Sequence, residues 1–271
     1  MEAASEQSGG LVLIGSGNVA WALGAAIQNT QGIYVRAVVS KNPQSGEQLA
    51  AALGCTYSLH FQKSWLPDYT LLCVPDQAIS VVSSQLSGFH TGMVLHCSGS
   101  ISVDVLSHHQ ATGVLYPIQT FHNKARANWD HNTPLLIEAK PGRKELNQVS
   151  HLAQLLSTDV HIVKSEKRFY YHMAAVILNN FVNHIAGLTQ EFCSEHKLNE
   201  ALLKPLVNKT VEMFQEYKAT EVQTGPAKRN DSEVVNKHIR ILQESNPDLA
   251  HIYECIARSI MKKHSGKQGL K

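Results

Sequence analysis

What this chain lacks already excludes several protein classes. Its five cysteines, Cys55, Cys73, Cys97, Cys193 and Cys255, include no CxxC pair among 271 residues, and an odd number at wide spacing builds neither a disulfide framework nor a structural zinc site. They read as thiols of a reducing compartment. No window approaches the roughly 20 apolar residues of a membrane span, and the polar, acidic residues 1–10 do not resemble a secretory signal. Charged residues make up only 17% and the formal net charge is +2, which sets aside a strongly basic nucleic-acid binder. No HxxxH spacing carries a convincing acidic partner, and His108 and His109 point apart if helical, so no metal site is expected. No repeat or low-complexity block occurs. The expectation is a cytosolic globular protein that binds neither nucleic acid nor membrane.

What is present is alternation. Residues 11–14, 33–39, 69–74, 92–96 and a run ending at Tyr116-Pro117 are apolar and rich in strand formers, with a further short strand in the CTYS segment. Helical patterns separate them over 18–28, 45–53, 77–86 and 104–109. Strands at 134–138 and 160–163 then bracket a helix over 143–156. This order predicts an α/β domain with a mostly parallel sheet over residues 1–163. Beyond it the period becomes purely helical. One long stretch over 166–194 is too apolar to be fully solvated, and helices follow over 198–218, 231–243 and 246–263. An all-helical second domain, residues 164–271, is expected to pack that long helix against the first domain, a partner chain, or both. The basic tail MKKHSGKQGLK reads as a frayed end.

Residues 11–20, LVLIGSGNVA, carry the sharpest motif: an apolar strand, Gly15-Ser16-Gly17, then a helix opening with Asn18-Val19. Gly15 permits a tight turn, Gly17 leaves room for phosphate oxygens, and Ala20 is small enough to seat the helix on the sheet. The free amides of the helix start suit a dinucleotide pyrophosphate. After the second strand the sequence reads Val39-Ser40-Lys41-Asn42, with no carboxylate to hold an unmodified ribose. Ser40 and Lys41 instead suit a 2′-phosphate, so NADP is the expected cofactor. Val74-Pro75 and Ser98-Gly99 follow later strands, where they can line the dinucleotide groove and the nicotinamide, although an ordinary strand-ending turn at Ser98-Gly99 explains the residues equally well.

With these pieces in order, together with Leu115-Tyr116-Pro117-Ile118-Gln119-Thr120-Phe121, the helix containing Tyr171-His172-Met173-Ala174-Ala175 through Asn179-Asn180, and Thr224-Gly225-Pro226-Ala227-Lys228-Arg229-Asn230-Asp231, the chain resembles a Rossmann-like family carrying a domain of unknown function (DUF2520). That family is similar to coenzyme F420-dependent NADP oxidoreductases and, more remotely, to pyrroline-5-carboxylate and ketopantoate reductases. The resemblance covers most of residues 11–260 and implies NADP binding more firmly than any reaction. Tyr116 stands where histidine is more common, and Asn230 where glycine is.

The candidate chemistry is reduction or oxidation of a small carbonyl, imine or hydroxy compound. His172 is the expected proton donor or acceptor, and Asn179, seven positions on, can address the same helix face to orient the reacting atom. Helix histidines satisfied by local hydrogen bonds are equally common. Arg229 is the candidate for an anionic group, or else a surface partner of Asp231, which can cap the following helix. Gln119, Thr120 and Phe121 are placed to close the nicotinamide side. A homodimer through the helical domain is expected. The competing readings are a noncatalytic NADP-binding regulatory or interaction protein, and a dimeric scaffold whose glycine turn no longer accepts a cofactor.

Overall fold

The computed structural model describes residues 10–122 and 129–265; the end of the basic tail and residues 1–9 lie outside the described residues. The first strand, β1 (Leu11–Ile14), is wholly buried, as a four-residue apolar run covered on both faces must be. Each of its side chains contributes about 1.5–3 kcal/mol of burial free energy. Helix α1 (Asn18–Gln28) follows, then β2 (Val35–Val39), α2 (Pro43–Leu53), β3 (Thr56–Ser58) and β4 (Tyr69–Leu72). Gly54 ends α2 in the left-handed region at φ 64°, a conformation glycine adopts without a Cβ clash. Helix α3 (Asp76–Gln85), β5 (Met93–His96), a 3-10 turn (Val103–Leu106), β6 (Thr112–Pro117), β7 (Leu135–Lys140), α4 (Arg143–Leu156) and β8 (Val160–Ile162) complete the α/β part.

The eight strands form one sheet in the order β3-β2-β1-β4-β5-β6-β7-β8. Every neighbouring pair is parallel except β6 with β7, where Thr112 faces Lys140 and Pro117 faces Leu135 in antiparallel register. Chain order reverses on either side of β1. In open α/β sheets a ligand crevice opens at such a point, beyond the carboxyl ends of the strands. One face buries Leu13, Leu23, Leu71, Leu95, Leu135 and Leu152 together, and the opposite face buries Val12, Ala37, Leu72, Ile79, Val94 and Leu106. The strands therefore read as continuous apolar runs because both faces are covered.

The chain divides into two compact units, residues 1–181 and 182–271. Helix α5 (Ser165–Ala175) and the π segment Val176–Phe181 belong to the first. Arg168 explains why α5 does. Its side chain is fully buried, Nη1 donates to Glu138 Oε2 of β7 at 2.6 Å, and Nη2 donates to the Ile101 carbonyl. Ser165 Oγ donates to the same Glu138 oxygen at 2.6 Å and accepts the Val103 amide at 3.1 Å. The helical stretch expected over 166–194 is thus divided into α5, a π segment and α6 (Val182–Glu195), the last in the second unit.

The second unit continues through a 3-10 turn (Glu200–Leu203), α7 (Lys204–Glu216), the short α8 (Ala219–Val222), α9 (Ser232–Ser245) and α10 (Pro247–His264). Asp231 caps α9 by accepting the Val234 amide at 3.2 Å, and Asn246 caps α10 by accepting the Leu249 amide at 2.9 Å. A small core forms around Ala227, Val235 and Ala257. Helix α7 buries none of its residues, and Leu206, Val207, Val211 and Phe214 on it are exposed.

Candidate active site

The glycine turn is fixed by the strand beside it. Gly15 has φ 113°, and a Cβ there would lie 2.2 Å from the Cys73 carbonyl oxygen, so both backbone conformation and space demand glycine. Gly17 is different: a Cβ on it would meet nothing within 4 Å, which leaves open space over the start of α1. That start carries no side-chain cap and no acidic residue in its first turn. Uncapped amides beside an open space are what a pyrophosphate requires, so these residues fit a dinucleotide. Val19 is partly buried against the core and Ala20 is fully buried, while the Asn18 side chain reaches away to donate to the Phe121 carbonyl at 2.8 Å.

At the end of β2, Ser16, Ser40 and Ser45 form a hydroxyl cluster. Ser16 Oγ lies 2.8 Å from Ser40 Oγ and 2.6 Å from Ser45 Oγ. Ser40 is buried and Lys41 is exposed. Asn42 caps α2 by accepting the Ser45 amide at 3.1 Å, and no acidic residue occupies the first turn of that helix. Ser45 was missed in the sequence because its place in the cluster depends on that cap, which turns it back toward Ser16.

Val74 lies against Gly15, and Pro75 precedes α3. The amide of Ser98 donates to His96 Nδ1 at 3.1 Å, while Ser98 Oγ accepts the amides of Ser100 and Ile101, so this turn satisfies much of its own polarity. Gly99 stands closer to the Tyr116 and His172 side chains. A Cβ on Gly99 would lie 2.7 Å from Tyr116 Cζ and 2.8 Å from His172 Cβ. The close approach made possible by the missing side chain lets α5 lean onto the strand edge. There the Tyr116 hydroxyl and His172 Nδ1 are 3.0 Å apart. Burial raises the Tyr116 phenol above its usual pKa, and the Asp76 carboxylate adds to this while the Arg168 guanidinium opposes it. The phenol therefore stays protonated near neutral pH and can donate to Nδ1, the arrangement in which Nε2 carries the ring proton.

Asn179, in the π segment, donates through Nδ2 to Thr120 Oγ1 at 2.6 Å and to Asn180 Oδ1 at 3.0 Å. His172 and Asn179 thus both meet the segment from Tyr116 to Thr120, although the π segment replaces the regular helix assumed between them. Asp76 accepts from Ser100 Oγ on the same strand edge. Asp76, Ser100 and Arg168 carried no sequence signal of this kind, since only the sheet order brings them together. Arg229 belongs to the second unit, exposed on the turn that follows Thr224-Gly225-Pro226, with its amide bonded to the Gly225 carbonyl at 3.3 Å. Within that unit, Thr224, Gly225 and Pro226 line an apolar cavity of about 550 Å³ with Ile241, His238 and Tyr253. Asn230 has φ 56°, the left-handed conformation that glycine or asparagine tolerates. One expectation is corrected: His108 and His109 do not point apart, because they follow a 3-10 turn and both present Nε2 to Ser83 Oγ, at 3.1 and 3.0 Å.

The model for the domain of unknown function DUF2520 matches residues 133–260. A Bacteroides fragilis protein, BF3122, named as a candidate NADP oxidoreductase, is 30% identical, with 94% of this chain and 98% of that one covered at a TM-score of 0.86. The chain belongs to the same family. Protein TM1727 from Thermotoga maritima is 21% identical over 94% of this chain and 99% of its own, with a TM-score of 0.77. A reductive aminase from Aspergillus terreus, solved with NADPH and ethyl-5-oxohexanoate, shares the fold at 11% identity over 97% of this chain and 96% of that one, TM-score 0.68. No curated protein matches the sequence. The family's fold is thus an α/β, Rossmann-like mostly parallel sheet with a helical C-terminal region. Among the described residues no helix is long and apolar enough to cross a membrane.

Proposed function

We propose that this protein is an NADP(H)-dependent oxidoreductase acting on a small carbonyl, imine or hydroxy compound. The observation that carries the reading is the meeting of Tyr116 and His172 across Gly99, on the same sheet edge as the open glycine turn. The naming of the Bacteroides fragilis relative as a candidate NADP oxidoreductase supports it. Gly15, Ser16, Gly17 and the first amides of α1 would hold the pyrophosphate, and Ser40, Lys41 and Ser45 the 2′-phosphate. The cofactor, when bound, supplies or accepts hydride. His172 delivers or takes the accompanying proton at Nε2, with Tyr116 holding the ring through Nδ1. Asn179 and Thr120 orient the polar atom of the substrate. The second unit's exposed apolar helices support a homodimer formed through it, and five free cysteines support a reducing, cytosolic setting.

The test is calorimetric titration with NADPH and NADH in one buffer, followed by NADPH oxidation assays with aldehydes, ketones and cyclic imines. Tight NADPH binding with weak NADH binding, and turnover on one of these classes, is the expected result. Binding of neither nucleotide overturns the reading.

A further inference from the structure

Cys73 and Cys97 occupy equivalent positions at the ends of neighbouring strands. Leu72 of β4 pairs with His96 of β5 in parallel register, so the next residue on each strand stands beside its counterpart. Both side chains pack against the same sheet face, and their sulfurs are 3.8 Å apart. We propose that this pair is an oxidation site, at which a peroxide converts the two thiols to a disulfide and thereby weakens cofactor binding.

The geometry allows the bond. Neighbouring strands run about 4.8 Å apart, inside the Cα separation of roughly 4.4–6.8 Å that disulfides span. The sulfurs already touch, and closing them to about 2.05 Å takes side-chain rotation together with a small approach of the two strand ends. Both residues are partly exposed at the carboxyl edge of the sheet, where a small oxidant can reach them. Burial holds the Cys97 thiol well above its usual pKa, and in the proposed sequence Cys73 reacts first. Its sulfur attacks one peroxide oxygen, the O–O bond breaks, and water leaves as a sulfenic acid forms. Cys97 sulfur then displaces the hydroxyl group from Cys73 sulfur, and that group departs as water with the Cys97 proton. Two thiols and one hydrogen peroxide thus become one disulfide and two waters.

The consequence for binding rests on the cofactor reading above. The Cys73 amide donates to the Ile14 carbonyl at 2.8 Å, and the Cys73 carbonyl fills the space where a Gly15 side chain would be. A residue held against Ile14 and Gly15 at the entry to the glycine turn cannot be drawn toward Cys97 without moving that turn. Neither Cys55, Cys193 nor Cys255 forms a sulfur contact with another cysteine among the described residues.

The experiment treats the intact purified protein with hydrogen peroxide, maps cysteine peptides by mass spectrometry without reduction, and measures NADPH affinity before treatment, after it, and after dithiothreitol. The expected result is a Cys73 to Cys97 cross-linked peptide, two hydrogens lighter than the thiol pair, with at least a tenfold loss of NADPH affinity that reductant restores. Cys97→Ser should keep its affinity for NADPH through a brief treatment. Oxidation that leaves no link between these two residues, or a linked protein that binds NADPH as before, overturns the proposal. Failure of the untreated protein to bind NADPH counts against the cofactor reading and the binding consequence together, whereas the mapped cross-link decides the oxidation site by itself.

Discussion

The hydroxyl of Tyr116 meets Nδ1 of His172 at 3.0 Å, a contact between the end of a sheet strand and a helix 56 residues further along the chain. It joins the residue expected to handle the proton to one that the sequence marked only as a departure from its family. In Tyr116→Phe the ring loses its tautomer bias, and kcat for NADPH-dependent turnover should fall about 10- to 100-fold while NADPH affinity stays within twofold. His172→Ala should cost about 100- to 10,000-fold, the range for a lost general acid or base. Steady-state kinetics beside calorimetry separates the two parameters, and a fully active His172→Ala would remove this residue from proton transfer.

Lys41 bears on cofactor choice. Reversing its charge with Lys41→Glu should weaken NADPH at least tenfold and NADH by less than threefold, because only the former carries a 2′-phosphate. Equal losses would detach Lys41 from that phosphate.

Gly99→Ala places a methyl group against both members of the pair, 2.7 Å from Tyr116 Cζ and 2.8 Å from His172 Cβ. Overpacking of this kind costs about 1–3 kcal/mol, and here it should also separate the two rings. Urea unfolding should show the loss, and turnover should fall by a larger factor than in Tyr116→Phe. A variant as stable and active as the parent would mean that α5 yields freely.

Arg168 and Glu138 form a buried ion pair, the arginine fully enclosed and the glutamate 13% exposed. Arg168→Met leaves a carboxylate buried without its partner and should destabilise by about 3–5 kcal/mol. Arg168→Met with Glu138→Leu should recover much of this in urea unfolding. An unchanged midpoint for the single variant would show that Glu138 escapes to water.

His96 is fully buried, and burial, aided by the nearby Arg168 charge, lowers its pKa from 6.5 to about 4. Between those values the unfolded chain binds a proton that the folded one refuses, so stability is full above about pH 6.5 and declines as pH falls toward 4. The total contribution lost is about 3 kcal/mol. His96→Asn, whose amide oxygen can accept the Ser98 amide in place of Nδ1, should flatten the difference between urea midpoints at pH 7 and pH 4.5. An equal slope in both proteins would assign acid sensitivity elsewhere.

Much of the fold was legible because local signals agreed with the global outcome. The run LVLI before Gly15 is buried as a strand must be, α4 occupies the expected 143–156, and Asp231 caps α9 as its position ahead of Ser232 suggested. The direction of β7 was not legible, since strand periodicity is the same whichever way a neighbour runs. Nor was the π segment, whose extra residue leaves no mark on an apolar pattern. Arg168 sits in SEKRFYY, where it looks like a surface charge, and only the pairing with Glu138 thirty positions earlier makes it a buried one. The Ser16, Ser40 and Ser45 cluster was partly visible through Ser40, but Ser45 depends on a helix cap.

Arg168 and His172 stand four positions apart on α5, so the clamp and the ring proposed to carry the proton share one helical face. Whatever loosens the guanidinium's grip also lets the imidazole drift from its partner, and damage to the scaffold will then register at the bench as damage to the chemistry. An enzyme assay alone would mistake the hinge pin for a tooth of the gear.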